Sequence, residues 1–408
     1  MRAWRGAAEQ EDGNQTADRE LRQSGLLRAA KGVRVWEEVS SAMKVAQVSP
    51  LYEAVPPRLY GGTERVVAQL SDALVDLGHE VTLFASADAR TRADLVPVRD
   101  QAIRLDPAPL KSDLAAHLSM LAQVREMKDR FDIIHFHTDM LQFLQFEDVA
   151  SRTVTTLHGR LDLKDLAPAY RRWPKFPLVS ISDAQRTHLP FANWVGTVYH
   201  GLDPKLFEFT AKPQGYLAFL GRMSPEKRPD RAIAIAKHLG MPLKMAAKVD
   251  TNDAAYFKAE ILPLLDHPLI EFIGEIGDAE KSAFLGGAQA LLFPIDWPEP
   301  FGLVMIEAMA CGTPVVAFRC GSAAEVIDDG VTGFIVDDLE GAFRATEAAT
   351  GLDRREVRRR FDRRFSSTAM ARAYLDIYAD RLARTPFAPD ETATDATPKE
   401  EVVLARIA

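Results

Sequence analysis

Cysteine is scarce in this sequence: Cys311 and Cys320 are the only two among 408 residues. Two thiols are too few for a disulfide framework or a four-thiolate zinc site. No run of about 18 or more apolar residues occurs, so there is no candidate transmembrane helix. Residues 1–10 also lack the apolar centre of a signal peptide. From these absences we expect neither a membrane span nor export, and a reducing, cytoplasmic setting.

Positive charge is not in surplus either. The 50 Lys and Arg side chains are outnumbered by 58 Asp and Glu, which gives a formal net charge of −8. Proteins bind a nucleic-acid backbone with clustered Lys and Arg, so we expect no nucleic-acid partner. Two nucleotide-binding signatures are absent as well, the G-x-G-x-x-G dinucleotide fingerprint and the Walker P-loop.

Short apolar strands alternate with amphipathic helices along most of the chain. A strand at residues 44–49 precedes a Pro- and Gly-rich loop and a helical pattern at 63–77, and a second round begins with a strand at 216–221. This alternation predicts parallel α/β sheets. We predict two Rossmann-like, doubly wound parallel-sheet domains, residues 43–202 and 203–365, facing each other across a cleft. Ligands of such sheets bind beyond the carboxyl ends of the strands.

The two ends of the chain differ from this pattern. Residues 1–42 are polar and irregular, and residues 386–408 are rich in Pro, Thr and Asp. We predict that the first segment is a disordered leader and the second a disordered tail. Ahead of the tail, residues 366–385 are predicted to form a last amphipathic helix.

The most informative segment contains two carboxylates, Glu299 and Glu307, eight positions apart. Residues 302–310 are apolar apart from Glu307, and Gly312 gives a helix-stop signal, which predicts a largely buried helix. A buried carboxylate needs a partner, and ligand hydroxyls suit it because an ionised carboxylate only accepts hydrogen bonds. Free backbone N–H groups at residues 301–304, where the helix starts, favour an anion. The segment therefore predicts a site for a polyhydroxylated, anionic ligand.

Two further segments have features of a phosphate site. Residues 61–64, Gly-Gly-Thr-Glu, lie between the first strand and the first helix, where glycine lets backbone N–H groups approach a phosphate. The alternative is a tight turn into a Thr-capped helix. Arg222 and Lys227 fall in the loop after the second domain's first strand, where two cations can neutralise a diphosphate leaving group. Their alternative is a solvated loop.

Three histidines lie at predicted strand ends. His158 follows a strand directly, at the sheet edge where ligands gather. Its ring can hydrogen-bond a substrate hydroxyl or a nearby backbone group, and both roles stay open. His135 and His137 flank another strand end, where Asp139 is the only carboxylate close by and no other metal-ligand pattern occurs. For that pair we favour structural or substrate-contact roles over metal binding.

Together these motifs resemble those of the retaining GT-B glycosyltransferases of family 4, the group 1 glycosyltransferases. The resemblance covers about residues 43–384. Its most specific part is the spacing of Glu299 and Glu307 followed by Ala-Met-Ala-Cys-Gly-Thr-Pro-Val-Val. Residues 221–228, Gly-Arg-Met-Ser-Pro-Glu-Lys-Arg, and residues 61–64 support it.

The resemblance implies a nucleotide-sugar donor held mainly by the second domain. Glu307 would hold the ribose hydroxyls and Glu299 the sugar hydroxyls, with Arg222 and Lys227 on the diphosphate. His158 would contact the transferred sugar. The other donor contacts would come from the glycine loop of the first domain and from backbone amides of the second: Gly61, Gly62, Phe301, Gly302 and Leu303.

The implied reaction is transfer of a hexose to a hydroxyl acceptor with retention of anomeric configuration. In the front-face displacement usually proposed for this family, the leaving phosphate helps to deprotonate the acceptor, so no protein nucleophile is required. The catalytic residues would be His158, Glu299, Arg222 and Lys227. No metal is implied, because Arg and Lys neutralise the charge that Mg²⁺ would otherwise neutralise. No cofactor is implied either, since the nucleotide sugar is a co-substrate.

The acceptor is left open as a sugar, a lipid or a small molecule, and the oligomeric state is open too. Arg58 and Tyr60 of the long first loop are candidates to select the acceptor or cover the donor, and Lys248 is a candidate phosphate contact. Residues 160–175 carry several cations that could meet an anionic acceptor or, peripherally, a membrane, although a solvated face is favoured. The helix at 366–385 is expected to pack back on the N-terminal domain.

Other functions share part of this pattern. A glycoside hydrolase also uses two carboxylates, but it does not need Arg222 and Lys227. The alternatives we retain are a GT-B nucleotide-sugar epimerase, which would transfer nothing, and a non-catalytic nucleotide-sugar-binding protein. The presence of both glutamates, both cations and His158 speaks against the last.

Overall fold

The computed structural model describes residues 42–58 and 61–384. Nearly all of the predicted leader and the whole predicted tail lie outside these residues, as does Tyr60. The described chain contains two separate sheets in which every strand pairing is parallel. The predicted α/β architecture with two Rossmann-like sheets is therefore confirmed.

The first sheet has seven strands in the spatial order β3-β2-β1-β4-β5-β6-β7. The order reverses at β1, which has β2 on one side and β4 on the other, and such a switch point is where open parallel sheets bind ligands. The strands are β1 (Lys44–Val48), β2 (Glu80–Ala85), β3 (Asp94–Pro97), β4 (Ile133–Phe136), β5 (Thr153–Thr156), β6 (Leu178–Ser180) and β7 (Trp194–Thr197).

The second sheet has six strands in the order β10-β9-β8-β11-β12-β13 and reverses in the same way at β8. Its strands are β8 (Tyr216–Arg222), β9 (Leu243–Lys248), β10 (Ile270–Gly274), β11 (Ala288–Phe293), β12 (Val315–Phe318) and β13 (Gly333–Val336). The sequence pattern does not mark β3, β7 and β13. All three are edge strands with half-exposed side chains, so they lack the apolar run that marks a central parallel strand.

Helices connect these strands. They are α1 (Gly62–Asp76), α2 (Asp113–Glu126), α3 (Leu166–Arg172), α4 (Asp183–Arg186), α5 (Pro229–Leu239), α6 (Ala254–Tyr256), α7 (Asp278–Gly287), α8 (Leu303–Ala310), α9 (Ala323–Val326), α10 (Leu339–Ala349), α11 (Arg354–Arg364) and α12 (Ser367–Arg384). None of the helices in the described residues combines the length and the apolar content needed to cross a bilayer.

Helix α8 is the buried helix predicted from the sequence, and it starts at Leu303, one residue later than the apolar run. Gly302 precedes it with φ of 79°, a left-handed conformation that glycine adopts without the cost of a Cβ. The helix ends before Gly312, whose φ is 81°. A Cβ on Gly312 would stand 2.7 Å from the ring of Phe209, so this turn requires glycine for space as well as for conformation.

Helix α12 returns to the first sheet. The hydroxyl of Tyr378 lies 2.7 Å from Nδ1 of His135, and the hydroxyl of Tyr374 lies 2.8 Å from Oγ1 of Thr156. Both tyrosines are fully buried, so these hydrogen bonds satisfy hydroxyls that water cannot reach.

Candidate active site

A cavity of about 920 Å³ opens at the carboxyl ends of both sheets and takes its walls from both. The residues predicted for the site come from distant parts of the sequence, and all of them line this cavity: Gly61, Gly62, His158, Arg222, Lys227, Glu299, Phe301, Gly302, Leu303 and Glu307. The two switch points therefore share one cleft.

Glu307 is buried on α8, with 3% of its surface exposed. The partner that its charge requires is Lys281 on α7, whose Nζ lies 2.9 Å from Oε1 of Glu307. Lys281 also lies 3.5 Å from Asp278, and Asp278 is ion-paired with Arg65 of α1. A chain of alternating charges thus connects Glu307 to the first helix of the other sheet.

Glu299 forms an ion pair with Lys227 across the mouth of the second sheet. The indole Nε1 of Trp297 donates to the same carboxylate at 3.1 Å, and Nζ of Lys227 lies 4.9 Å from the centre of the indole ring. Lys227, which is predicted to hold the diphosphate, is therefore ion-paired with Glu299, which is predicted to hold the sugar.

Arg222 is the last residue of β8, not a loop residue as the sequence suggested. Its guanidinium is surrounded by carboxylates: Oε1 of Glu226 at 2.6 Å, Oδ2 of Asp253 at 3.4 Å and Oδ2 of Asp250 at 3.8 Å. The side chain is only about a quarter exposed, at 27%. These contacts hold the fork in a fixed position facing the cleft, which suits bidentate binding of an oxyanion.

The start of α8 faces the same cavity. The N–H of Met305 donates to the carbonyl of Gly302 at 3.0 Å and opens the helical hydrogen-bond ladder. The N–H groups just before it belong to the first turn, which no helix can satisfy internally. Phe301, Gly302 and Leu303 therefore bring backbone donors and the positive end of a helix dipole to the cavity.

The glycine loop approaches this helix from the first sheet. A Cβ on Gly62 would lie 3.7 Å from Cδ1 of Leu303, so the loop and α8 are within van der Waals reach of each other. A Cβ on Gly61 would lie 2.7 Å from Pro57, so Gly61 is required by close packing. The alternative of a Thr-capped helix is wrong, because α1 begins at Gly62 and Thr63 lies inside its first turn. Glu64 follows, and burial raises its pKa to about 7.

A line of histidines, buried or partly buried, forms the floor of the cleft. Nδ1 of His137 lies 2.8 Å from Nε2 of His158, and Nε2 of His137 lies 2.8 Å from Oε1 of Gln47. With Gln47 accepting, His137 carries its proton on Nε2, and His158 then donates from Nε2 and leaves a bare lone pair on Nδ1. That Nδ1 is buried and has no hydrogen-bond partner among the described residues. Burial lowers the pKa of His158 to about 3, so the ring is neutral.

The other predicted histidine has no free ring nitrogen. Nδ1 of His135 lies 2.7 Å from the hydroxyl of Tyr378, and Nε2 lies 2.7 Å from Oγ1 of Thr156. His135 is fully buried, and both nitrogens are used inside the protein. Its role is structural, which is one of the two roles favoured from the sequence.

The site can be compared with known proteins. Residues 205–363 match the sequence profile of the glycosyl transferases group 1, and residues 60–190 match that of glycosyltransferase family 4. The first profile matches the part of the chain that forms the second sheet, and the second profile matches most of the part that forms the first sheet. Together they span most of the chain. The chain belongs to the group 1 glycosyltransferases.

Relatives of this glycosyltransferase extend over most of its length. A phosphatidyl-myo-inositol mannosyltransferase of Mycolicibacterium smegmatis is 28% identical over 348 residues, covering 73% of this chain and 82% of the relative. A glycogen synthase of Mycobacterium tuberculosis is 27% identical over 403 residues, covering 82% and 94%. Among solved structures, AviGT4, a glycosyltransferase of avilamycin A biosynthesis, shares 25% identity and a TM-score of 0.66 over 84% of this chain and 99% of its own. Anabaena HepE, solved with UDP and glucose, shares the fold with a TM-score of 0.64 at 18% identity, over 83% of this chain and all of its own.

Two residues in the cleft of this glycosyltransferase were not predicted. Lys281 lies 26 positions before Glu307, and the one available signal was that a buried glutamate needs a cation. His200 lies in the connection between the sheets and stacks on His158 with ring centres 5.2 Å apart. Its Nδ1 is likewise buried without a partner among the described residues. Nothing in the spacing of His200 connects it to His158.

Proposed function

We propose that this glycosyltransferase moves a sugar from a nucleotide-sugar donor to a hydroxyl group of an acceptor, with retention of anomeric configuration and without a metal ion. The observation that carries this proposal is the convergence of two carboxylates and two cations, Glu299, Glu307, Arg222 and Lys227, on one cavity that spans both sheets. A nucleotide sugar has hydroxyls at both ends and an anionic diphosphate in its middle, and this set of groups matches all three parts.

Each donor contact follows from the chemistry of the side chain. Glu307, deep on α8, accepts hydrogen bonds from the ribose hydroxyls, and Glu299, at the mouth, accepts them from the sugar. Arg222 provides a planar fork and Lys227 a point charge for the diphosphate. The free N–H groups at the start of α8 add donors for a phosphate or a sugar oxygen.

Donor binding rearranges the ion pair of Lys227 and Glu299. The diphosphate takes the ammonium group, and the sugar hydroxyls take the carboxylate. Each group then exchanges one charged partner for a substrate partner, so neither charge is left buried alone. Trp297, which donates to Glu299 and lies beside Lys227, stays in contact with both during this exchange.

The reaction needs no protein nucleophile. The acceptor oxygen bonds to the anomeric carbon on the face from which the bond to the phosphate oxygen breaks, and the acceptor proton passes to the departing phosphate. Negative charge on the leaving diphosphate increases as the bond breaks, and Arg222 and Lys227 stabilise it there. Nδ1 of His158 accepts a hydrogen bond from a hydroxyl of the transferred sugar and orients it.

The relatives support transfer in place of epimerisation or passive binding. The mycobacterial proteins are described as a mannosyltransferase and a glycogen synthase, and AviGT4 as a glycosyltransferase. The solved structure of HepE was obtained with UDP and glucose. These descriptions point to a nucleotide sugar as the donor class for this chain.

The test begins with a thermal-shift screen of UDP, GDP and ADP and their common sugars, because a ligand that binds the native state raises the melting temperature. The donor that binds is then incubated with the enzyme and EDTA, and nucleotide release and the anomeric proton coupling of the product are followed by NMR. Release in EDTA with retained configuration is expected. An inverted product, strict dependence on a divalent cation, or no release with any donor contradicts the proposal.

A further inference from the structure

We propose that His200 is a second histidine of the donor site, and that the N–H group at its Nε2 donates a hydrogen bond to an oxygen of the transferred sugar. His158 contacts the same sugar in the function proposed above, on which this assignment rests. Two observations carry it: the ring of His200 is held between His158 and Phe301, and that ring is buried without a hydrogen-bond partner among the described residues.

His200 lies in the connection between β7 and β8, where the backbone packs closely against the rest of the protein. The N–H of Leu202 donates to the carbonyl of Phe365 at 2.9 Å. A Cβ on Gly201 would stand 2.4 Å from the carbonyl oxygen of Ser366, so the connection touches the junction of α11 and α12. This packing fixes the backbone position from which the side chain of His200 extends.

The imidazole ring of His200 is packed between two other rings of the cleft. It stacks on His158 with ring centres 5.2 Å apart and planes 20° apart, and it is inclined at 61° to Phe301 with ring centres 4.8 Å apart. The residue is only 4% exposed and is among those that line the cavity. His200 therefore lies between the histidine proposed to orient the sugar and the start of α8.

The proton of the His200 ring can be placed from its surroundings. Burial lowers its pKa well below the usual value, with a smaller contribution from His158, so the ring is neutral. Nδ1 is buried without a hydrogen-bond partner among the described residues. A bare lone pair is tolerated there better than a buried N–H without an acceptor, so the proton lies on Nε2. Nε2 is not buried in this way, and it is the ring nitrogen left to face the cavity.

Packing alone does not explain a histidine at this position. A phenylalanine ring would fill the space between His158 and Phe301 without burying a nitrogen that lacks a partner. The nitrogens of His200 cost folding free energy when they are taken out of water, and no described residue accepts from Nε2. A ligand that offers an acceptor oxygen in the cavity offsets this cost.

The two stacked histidines present complementary groups to a ligand. His158 has a bare lone pair on Nδ1, and His200 has an N–H group on Nε2. A sugar matches both, because each of its hydroxyl groups can donate and accept, whereas an ionised phosphate oxygen only accepts. The cations assigned to the diphosphate, Arg222 and Lys227, are on the second sheet. The uncharged N–H of His200 is therefore assigned to the sugar.

The test uses His200→Phe, which keeps a stacked ring and removes the N–H group. The probes are UDP-glucose, GDP-mannose and ADP-glucose with their free diphosphates, and the pair with the largest thermal shift is used. Without acceptor, kcat/KM for nucleotide release from the sugar nucleotide should fall about tenfold, the effect of one lost hydrogen bond. Kd of the free diphosphate, which has no sugar to contact His200, should stay within about twofold of the wild-type value.

Two further variants complete the comparison. His200→Gln has an amide N–H that reaches about as far as Nε2, and it should recover most of the lost kcat/KM. The matched control is His238→Phe, because His238 also stacks on a ring, that of Phe343 at 3.7 Å, but is exposed and outside the cavity lining. Both constants should keep their wild-type values in this control.

Three results overturn the assignment: an unchanged kcat/KM in His200→Phe, an equal loss of diphosphate affinity in that variant, or a loss in His200→Gln as large as in His200→Phe. Failure of the proposed function is distinct from these. In that case the wild-type protein itself would release no nucleotide from any of the three sugar nucleotides.

Nitrogen-detected NMR of the wild-type protein tests the same contact without a substitution. We expect the proton of His200 on Nε2, and we expect the Nε2 resonance to move when the sugar nucleotide is added but not when the free diphosphate is added. A proton on Nδ1, or the same movement with both ligands, contradicts the assignment.

Discussion

Nζ of Lys281 lies 2.9 Å from Oε1 of Glu307, and this contact neutralises the most deeply buried carboxylate of the cleft. Removing the ammonium leaves a buried charge without its partner. Lys281→Met is therefore expected to lower the free energy of unfolding by about 2 to 3 kcal/mol. Urea unfolding measures the change. The double variant Lys281→Met with Glu307→Gln should recover most of the loss, and equal losses in the single and double variants would show that the two side chains are not coupled.

The two glutamates of the cleft should differ in what they contribute. Glu307→Ala is expected to weaken binding of the nucleoside diphosphate by about tenfold, because its ribose hydroxyls lose a charged acceptor. Glu299→Ala frees Lys227 from its ion pair, so nucleotide affinity should stay the same or rise while turnover falls by about a hundredfold. Calorimetric titration and initial rates separate the two effects. Equal losses of nucleotide affinity in both variants contradict this division.

Glu64 makes stability depend on pH. Its pKa is raised from 4.5 to about 7 in the folded chain. Between these values the folded state binds the proton and the unfolded state releases it, so stability falls as pH rises from 4.5 to 7 and stays low above. Residue 64 cannot ionise in Glu64→Gln, so this variant should not show that fall in stability. Relative to wild type, the free energy of unfolding of the variant should rise by about 3 kcal/mol between pH 4.5 and pH 8. If the free energies of unfolding of the two proteins, measured in urea, change with pH in the same way across this range, Glu64 is not the group responsible.

The tautomer of His158 should depend on Gln47, although the two do not touch. Gln47→Leu removes the acceptor of the His137 Nε2 proton, so His137 can hold its proton on Nδ1 and donate to His158. Nδ1 of His158 then carries a proton and no longer accepts from the sugar, and turnover should fall about tenfold.

Nitrogen-detected NMR of the imidazole rings reads the protonated nitrogen directly. Gln47→Glu keeps an oxygen acceptor at the same reach and is the matched control, expected to retain the wild-type tautomer. If the tautomer of His158 is unchanged in Gln47→Leu, it does not depend on Gln47, and the prediction is wrong.

The architecture could be predicted from the sequence, as could the residues of the second sheet that line the cavity, because those signals are local. The Glu299 and Glu307 pair and the segment from Arg222 to Lys227 lie within short stretches whose spacing reflects one helix start and one strand end. The edge strands β3, β7 and β13 were missed because they are half exposed. Lys281 and His200 were missed because their partners, Glu307 and His158, are distant in the sequence and come close only when the chain folds.

Two details depended on side-chain contacts that no pattern displays. The sequence predicted Lys227 as a contact of the diphosphate, and only the folded chain shows its ion pair with Glu299. Asp139 was weighed only as a weak metal ligand. Its backbone is left-handed, and its carbonyl accepts a hydrogen bond from Gln142, three residues on in the sequence and also bonded to the neighbouring strand.

The proposed function requires that the cavity bind a nucleoside diphosphate through the cations of the second sheet. Calorimetric titration of the nucleotide chosen by thermal shift into Lys227→Met tests it most directly, with Lys205→Met as the control because Lys205 is exposed and lies outside the cavity lining. We expect Kd to rise about tenfold or more in Lys227→Met and to stay at the wild-type value in Lys205→Met. The same Kd in both variants and in the wild type would contradict it.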